Sequence, residues 1–152
     1  MKISPESFIA DQELCLKYKS IFISGNDENY IYSLLNLLVS NFTKNGYVKK
    51  NLNENKDVFP DLFGVSNKYV FISNKYLGNK EIEEIEIGED VFIFYEKTSP
   101  KNKAVKQFFS NSKKRALLEC YELSQNNKKT ILNSFIKKHS LSVEKNVYWF
   151  LL

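Results

Sequence analysis

A glycine turn near the start of the chain is the first feature whose residues could bind a ligand. An apolar run at residues 21–23 is followed by Ser24 and Gly25, and then by a helical pattern. A strand, a glycine turn and a helix in this order build the phosphate loop G-x-x-x-x-G-K-[ST], in which the lysine contacts phosphates and the hydroxyl holds Mg²⁺. The order of elements is therefore that of a nucleotide-binding sheet.

The residues after the turn do not provide this chemistry. Asn26, Asp27 and Glu28 stand where the loop needs a lysine and a hydroxyl. Acidic side chains in the first helical turn suit the helix dipole, and they occupy the position that a phosphate would take. Asn26 is predicted to cap the helix. We therefore predict a degenerate phosphate loop at Gly25, Asn26, Asp27 and Glu28, and we expect the chain to use no cofactor.

The other catalytic residue sets are also incomplete. An ATPase of this type needs acidic residues at the end of an apolar strand to hold Mg²⁺ and orient water, whereas the strand DVFIFYE ends in Glu96 alone. His139 is the only histidine, and Cys15 and Cys120 form no C-x-x-C pair. We expect no catalytic residues, no metal site and two reduced thiols in apolar surroundings.

A basic stretch between Glu96 and Glu119 is a second candidate site. It contains no acidic residue, and Phe108 and Phe109 lie within it. Basic residues interleaved with aromatic rings can hold phosphates and stack bases, although a solvated helix face with both phenylalanines in the core gives the same pattern. The possible nucleic-acid contacts are Lys97, Lys101, Lys103, Lys106, Lys113, Lys114 and Arg115. A basic nucleic-acid-binding α/β module that uses residues 97–115 is therefore the alternative function.

The elements that position these residues follow from the apolar pattern. Apolar strands are expected at residues 20–24, 68–73, 90–96 and 116–122, with a short edge strand at Tyr47 and Val48. Helices are expected at 4–14, with Ser4 as N-cap and Pro5 in the first turn, and at 29–42 and 102–111, and a short helix or turn is expected at 77–87. Apolar strands that alternate with amphipathic helices are typical of a parallel sheet covered on both faces. Residues 1–123 are therefore predicted to form one α/β domain.

The rest of the chain continues as helices without a sheet partner. Helical patterns at residues 128–138 and 143–152 predict the start of a small second domain over 124–152. The length of 152 residues agrees with one domain and a small appendage. The first residues are too acidic and interrupted for a signal peptide, and no apolar run approaches the roughly 20 residues of a membrane span. We therefore expect a cytoplasmic protein.

A Leu-Phe pair precedes the strand at 68–73. Leu62 and Phe63 lie in VFPDLFG, between Pro60 and Gly64, which predicts a short turn or a single helical turn. The pair could cap the core at this corner, or it could be offered to a partner. A few aromatic and aliphatic anchors carry most of the energy of an interface, so two such side chains on a short element suit a binding site.

The order of these features resembles the N-terminal part of the delta subunit of the bacterial DNA polymerase III clamp loader. An N-terminal helix like MKISPESF comes first, followed by a strand and a G-[NP]-[DE] turn without the lysine, as in IFISGNDENYIYSLL. A Leu-Phe element before a strand (DLFGVSNKYVFIS), a basic run (EKTSPKNKAVKQFF) and a further strand (ALLECYELS) then lead into NNKKTILNSFIKKHSLSVEKNVYWFLL. The ordered set, rather than any single motif, carries the resemblance over essentially the whole chain.

The resemblance implies a P-loop NTPase fold of the AAA+-like kind that neither binds nor hydrolyses ATP. Such a module is a non-catalytic subunit of the DNA polymerase III holoenzyme, located with the replisome at the nucleoid. It binds the sliding clamp, the beta subunit, and opens one interface of that ring. Leu62 and Phe63 would enter the hydrophobic pocket of the clamp, and primed DNA would be engaged only indirectly.

The resemblance also implies what the chain lacks. Residues 124–152 would be the start of the family's helical lid domain, and the collar domain that assembles the loader has no counterpart. We therefore expect the chain to bind a clamp. It would join other clamp-loader subunits only if the full-length protein carries a collar.

Overall fold

The computed structural model describes residues 2–52, 68–86, 88–97 and 103–152. Six strands form one sheet: β1 Lys2–Ile3, β2 Ser20–Gly25, β3 Tyr47–Asn51, β4 Lys68–Ser73, β5 Val91–Glu96 and β6 Arg115–Cys120. The helices are α1 Pro5–Ala10, a 3₁₀ helix Gln12–Lys17, α2 Glu28–Lys44, α3 Asn79–Ile85, α4 Lys103–Ser110, α5 Gln125–Lys138 and α6 Lys145–Phe150. The predicted α/β fold with a parallel sheet flanked by helices is confirmed.

The sheet has the order β1-β6-β2-β5-β4-β3, and each of its five strand pairs is parallel. From β2 the chain crosses to β3 at one edge and then returns through β4 and β5, before it passes β2 to reach β6. Parallel crossovers are right-handed, so the change of direction places the helices of the two halves on opposite faces. The result is consistent with a P-loop-like α/β fold that has β2 in its interior.

Successive side chains of β2 point to opposite faces of the sheet and pack into the core on both faces. Ile21 and Ile23 pack with α1, α2 and the 3₁₀ helix, whereas Phe22 packs with side chains of α3 and α4. The predicted apolar stripe of α2 is buried in full at Ile31, Leu34, Leu35, Leu38 and Phe42. Strand β2 is thus buried on both sides, as the apolar run at its start predicts.

Two local expectations need correction, and one short strand was not predicted. The helix expected at 4–14 is two pieces, because the backbone of Asp11 is extended and its carboxylate accepts the Glu13 N–H to start the 3₁₀ helix. Strand β1, which pairs with β6, was not predicted, since two residues are too few for a periodic signal. Asp27, rather than Asn26, is the N-cap of α2. The edge strand β3 and the Ser4–Pro5 helix start are confirmed.

The C-terminal helices lie against the start of the chain. Helix α5 packs on α1, and the Asn127 side-chain amide donates to Oε1 of Glu6 at 3.1 Å. Within the two described C-terminal helices, no side chain is fully buried. Neither these nor the other helices of the described ranges are long and apolar enough to cross a membrane.

Candidate functional site

The glycine turn lies at the carboxyl end of β2, between β5 and β6. This is the edge of an open α/β sheet where ligands bind, at the point where the strand order changes direction. Gly25 pairs with Cys120 of β6 and has a φ of 155°. A Cβ atom on Gly25 would come within 1.8 Å of the carbonyl oxygen of Cys120. The glycine is therefore required by the close approach of β6, whether or not a ligand binds.

The start of α2 is occupied by groups of the protein itself. Oδ1 of Asp27 accepts the backbone N–H of Tyr30 at 3.0 Å, and the Asp27 N–H donates to the Cys120 carbonyl at 3.3 Å. Oε1 of Glu28 lies 2.5 Å from Nζ of Lys97. A phosphate at a helix start needs free N–H donors and a positive field. Here a carboxylate already takes a donor of the first turn, and the nearby lysine is paired.

The carboxylate of Glu6 forms a partly buried polar contact with Tyr30 of α2 and adds negative charge there. Oε1 of Glu6 accepts the hydroxyl of Tyr30 at 3.2 Å as well as the amide of Asn127. Burial, followed by the charge of Glu6, raises the pKa of Tyr30 above its usual range. Burial also raises the pKa of the Cys120 thiol to about 12, with smaller contributions from Glu6 and Asp27. Both groups stay protonated at neutral pH, and the carboxylates make this edge unfavourable for a polyphosphate.

The strand ends beside β2 bring two further carboxylates near the turn. Ser24 is in register with Glu96 of β5 and with Glu119 of β6. Glu119 is paired with Lys106, whose Nζ lies 2.7 Å from Oε1. The side-chain oxygen of Ser24 is buried without a hydrogen-bond partner in the described part of the chain. Within residues 2–52, 68–86, 88–97 and 103–152, no group of three or more His, Cys, Asp and Glu side chains could hold a metal ion.

The basic stretch is partly neutralised by acidic residues from other elements. Nε and Nη2 of Arg115 donate to the carboxylate of Glu86 at 2.9 and 2.7 Å, and the guanidinium lies 3.8 Å from the centre of the Phe108 ring. Phe109 is fully buried in the core, so it offers no surface to a base. Burial and two-point pairing of this kind are typical of a structural arginine.

The remaining predicted basic contacts are dispersed. Lys97 and Lys106 form the ion pairs with Glu28 and Glu119 described above. Lys103, Lys113 and Lys114 are exposed. Lys101 lies outside the described residues, as do both Leu62 and Phe63 of the predicted clamp contact.

The contacts that join distant parts of the chain were missed by the sequence analysis. Glu6 meets Asn127 across 121 positions, and Arg115 meets Glu86 across 29 positions. No spacing rule links such pairs, because they come together only when the strands adopt their order. The free cysteines are buried, as predicted.

No protein-family model and no curated protein matches this chain. The fold and the geometry of the glycine turn are therefore the observations from which a function can be argued.

Proposed function

We propose that the chain is the AAA+-like clamp-binding module of a clamp-loader delta subunit, followed by the start of its helical lid. It would bind and open the sliding clamp during DNA replication, as a non-catalytic part of the DNA polymerase III assembly in the cytoplasm. The observation that carries the proposal is the glycine turn at the centre of a parallel sheet. Its phosphate position is taken by Asp27, by the Glu28–Lys97 pair and by the backbone of Cys120.

A sheet of the nucleotide-binding type that lacks the nucleotide-binding residues can serve as a rigid support for another binding site. Function lies in sites placed on a fold, so such a sheet can present a binding element while its original site is closed. In this chain the Leu62-Phe63 pair comes shortly before β4, which begins at Lys68. That order is the one in the delta subunits that the sequence resembles, and it supplies the proposed clamp contact.

The proposal is tested by titrating the sliding clamp of the same source with the full chain. We expect the wild type to bind. The Leu62→Ala/Phe63→Ala variant should lose at least about thirty-fold in affinity, because two interface anchors of this size are worth about 2 kcal/mol or more. The matched control is Lys113→Ala/Lys114→Ala, which changes two exposed side chains elsewhere and should bind within about two-fold of the wild type.

Circular dichroism of each variant shows whether it is folded. A folded wild type that does not bind the clamp would overturn the proposal. Equal clamp affinity of the Leu62→Ala/Phe63→Ala variant and the wild type would remove the assigned contact. If the wild type instead binds single-stranded DNA with a steep salt dependence that Lys113→Ala/Lys114→Ala reduces, the alternative nucleic-acid function would replace the proposal.

The closed phosphate position is tested separately by calorimetry with MgATP. We expect no binding at millimolar nucleotide and no ATP hydrolysis, because Asp27 and Glu28 meet the phosphates where a lysine is needed. Measurable ATP binding would contradict the interpretation of the turn, even if the clamp also binds.

A further inference from the structure

The net positive charge of the protein is concentrated in its C-terminal helices. The whole chain has 22 basic and 18 acidic residues, whereas residues 124–152 have five lysines and one glutamate. Residues 1–123 therefore carry 17 charges of each sign and are neutral overall. The surplus of four lies on α5, α6 and their connections, which make up less than a fifth of the chain.

The same segment exposes most of the large apolar side chains on the surface. Of the ten exposed large hydrophobic residues in the described ranges, six belong to residues 124–152. Of these six, Phe135 on α5, which is 53% exposed, lines the groove described next. Exposed apolar surface that is concentrated rather than scattered marks an interaction site.

Helix α5 and the body of the domain form a concave surface here, which we call the α1–α5 groove. The large apolar side chains that line it, which we call its floor, are Ile9 from α1, Leu37 from α2, and Ile131 and Phe135 from α5, and Gln12, Ser134 and His139 line it as well. Lys137 and Lys138 line its rim at the last turn of α5. The groove has a volume of about 690 Å³, which is within the range of about 300–1,000 Å³ found for binding pockets.

We propose that the α1–α5 groove binds an amphipathic acidic segment of a partner protein, with apolar side chains on the floor and carboxylates at Lys137 and Lys138. This inference goes beyond the clamp function and does not depend on it. An apolar groove between helices is the usual receptor for one face of an amphipathic helix. The positive charge of Lys137 and Lys138 at the rim then favours a partner segment with negative charge.

The composition of the groove favours such a segment over a nucleic acid. Three of the four floor side chains, Ile9, Leu37 and Ile131, are aliphatic and offer no flat ring on which a base could stack. The two aromatic rings of the lining, Phe135 and His139, contact each other with their centres 4.5 Å apart and their planes tilted by 45°. Aliphatic side chains in a concave surface suit the apolar anchors of an amphipathic helix.

The test uses a phage library of random peptides about 16 residues long, which is roughly four helical turns, selected on the immobilised full chain. A Phe135→Asp variant serves for counter-selection, because Phe135 is half-exposed and its replacement should leave the fold intact. We expect the enriched peptides to be acidic, with apolar residues at helical spacing. The best peptide is then labelled, and its affinity is measured by fluorescence anisotropy at low and physiological salt.

The variants give quantitative expectations for this peptide. Phe135→Asp should weaken binding at least about ten-fold through loss of an aromatic anchor. Lys137→Glu/Lys138→Glu should weaken it about five- to ten-fold, and less at high salt, as exposed ion pairs do. Lys113→Glu/Lys114→Glu makes the same change of net charge outside the groove and is the matched control. It should stay within about two-fold of the wild type.

Four results would overturn the inference. They are the absence of enrichment over the Phe135→Asp variant, enrichment of basic or neutral peptides, an equal effect of both charge reversals, and a concentration-dependent dimer in sedimentation that Phe135→Asp abolishes. The last would assign the groove to a second copy of the chain. If the first of these results is accompanied by binding to phosphatidylserine vesicles that needs Lys137 and Lys138, the groove is assigned to a membrane surface.

Discussion

Replacing Gly25 with alanine tests whether the glycine turn is held in place by the protein rather than by a phosphate. The added Cβ would lie 1.8 Å from the Cys120 carbonyl oxygen, whereas real Cβ contacts are essentially never under 3.0 Å. The strand end of β6 and the turn must therefore separate by more than about 1 Å, and overpacking is known to force such backbone shifts. This oxygen also accepts the Asp27 N–H, so the same shift weakens the start of α2.

The expected cost follows from these contributions. Overpacking costs about 1–3 kcal/mol, a residue held at the unusual φ of Gly25 costs about 1–3 kcal/mol, and the weakened Asp27 hydrogen bond about 1 kcal/mol. We therefore expect Gly25→Ala to lower the free energy of unfolding by about 3–7 kcal/mol. A domain of this size is stable by about 5–15 kcal/mol, so the variant should be partly unfolded or close to it.

Urea denaturation followed by far-ultraviolet circular dichroism measures this change, with two glycine controls. Gly46 has a φ of 85°, and a Cβ added there would meet no atom within 4 Å, so Gly46→Ala should cost only the backbone strain, about 1–2 kcal/mol. Gly88 has neither feature, and Gly88→Ala should change stability by less than about 0.5 kcal/mol. A Gly25→Ala variant as stable as Gly46→Ala would refute the close approach of β6.

Three further predictions concern the buried charge and the buried thiol. The side chains of Arg115 and Glu86 are only 12% and 10% exposed. Arg115→Ala removes this partner of the Glu86 carboxylate and should lower the free energy of unfolding, measured by urea denaturation, by about 3 kcal/mol or more. Lys68→Ala breaks the exposed pair with Glu89 and should cost less than about 0.5 kcal/mol; equal costs would contradict the structural role of Arg115. Because the pKa of Cys120 is raised to about 12, its thiol should react with a disulfide reagent at about pH 8 only as fast as the protein unfolds. Stability should also fall as the pH rises from about 9 towards 12, since the unfolded thiol loses its proton first, and Cys120→Ala should show a shallower fall in the urea midpoint. Rapid native-state reaction, or an unchanged pH slope in Cys120→Ala, would contradict this.

Much of the fold could be predicted because its signals are local. The apolar run of β2 and the stripe of α2 place these elements to within one or two residues of their bounds in the structure. The absence of a lysine after Gly25 is likewise visible in the sequence alone. The predicted ends of elements were less accurate. At Asp11, for example, the side chain accepts a backbone N–H and interrupts the expected helix.

The candidate site could be predicted only in part, because its partners come from other elements. The basic stretch has no acidic neighbour in sequence, yet Lys97 meets Glu28 from α2 and Arg115 meets Glu86 from the end of α3. Charge patterns read along the chain cannot include such pairs, since they depend on which helices and strands lie side by side.

The sequence by itself therefore determined the element types, the parallel sheet and the loss of the phosphate-binding residues. Each depends on the identity and period of neighbouring residues, which the chain carries before it folds. Only the tertiary structure decided that β6 lies beside β2, that Cys120 closes on Gly25, and that Glu6 joins Tyr30 to Asn127. The contacts of β6 and of Asn127 arise from the crossover that carries the chain past β2 to its other side, and no local pattern specifies that path.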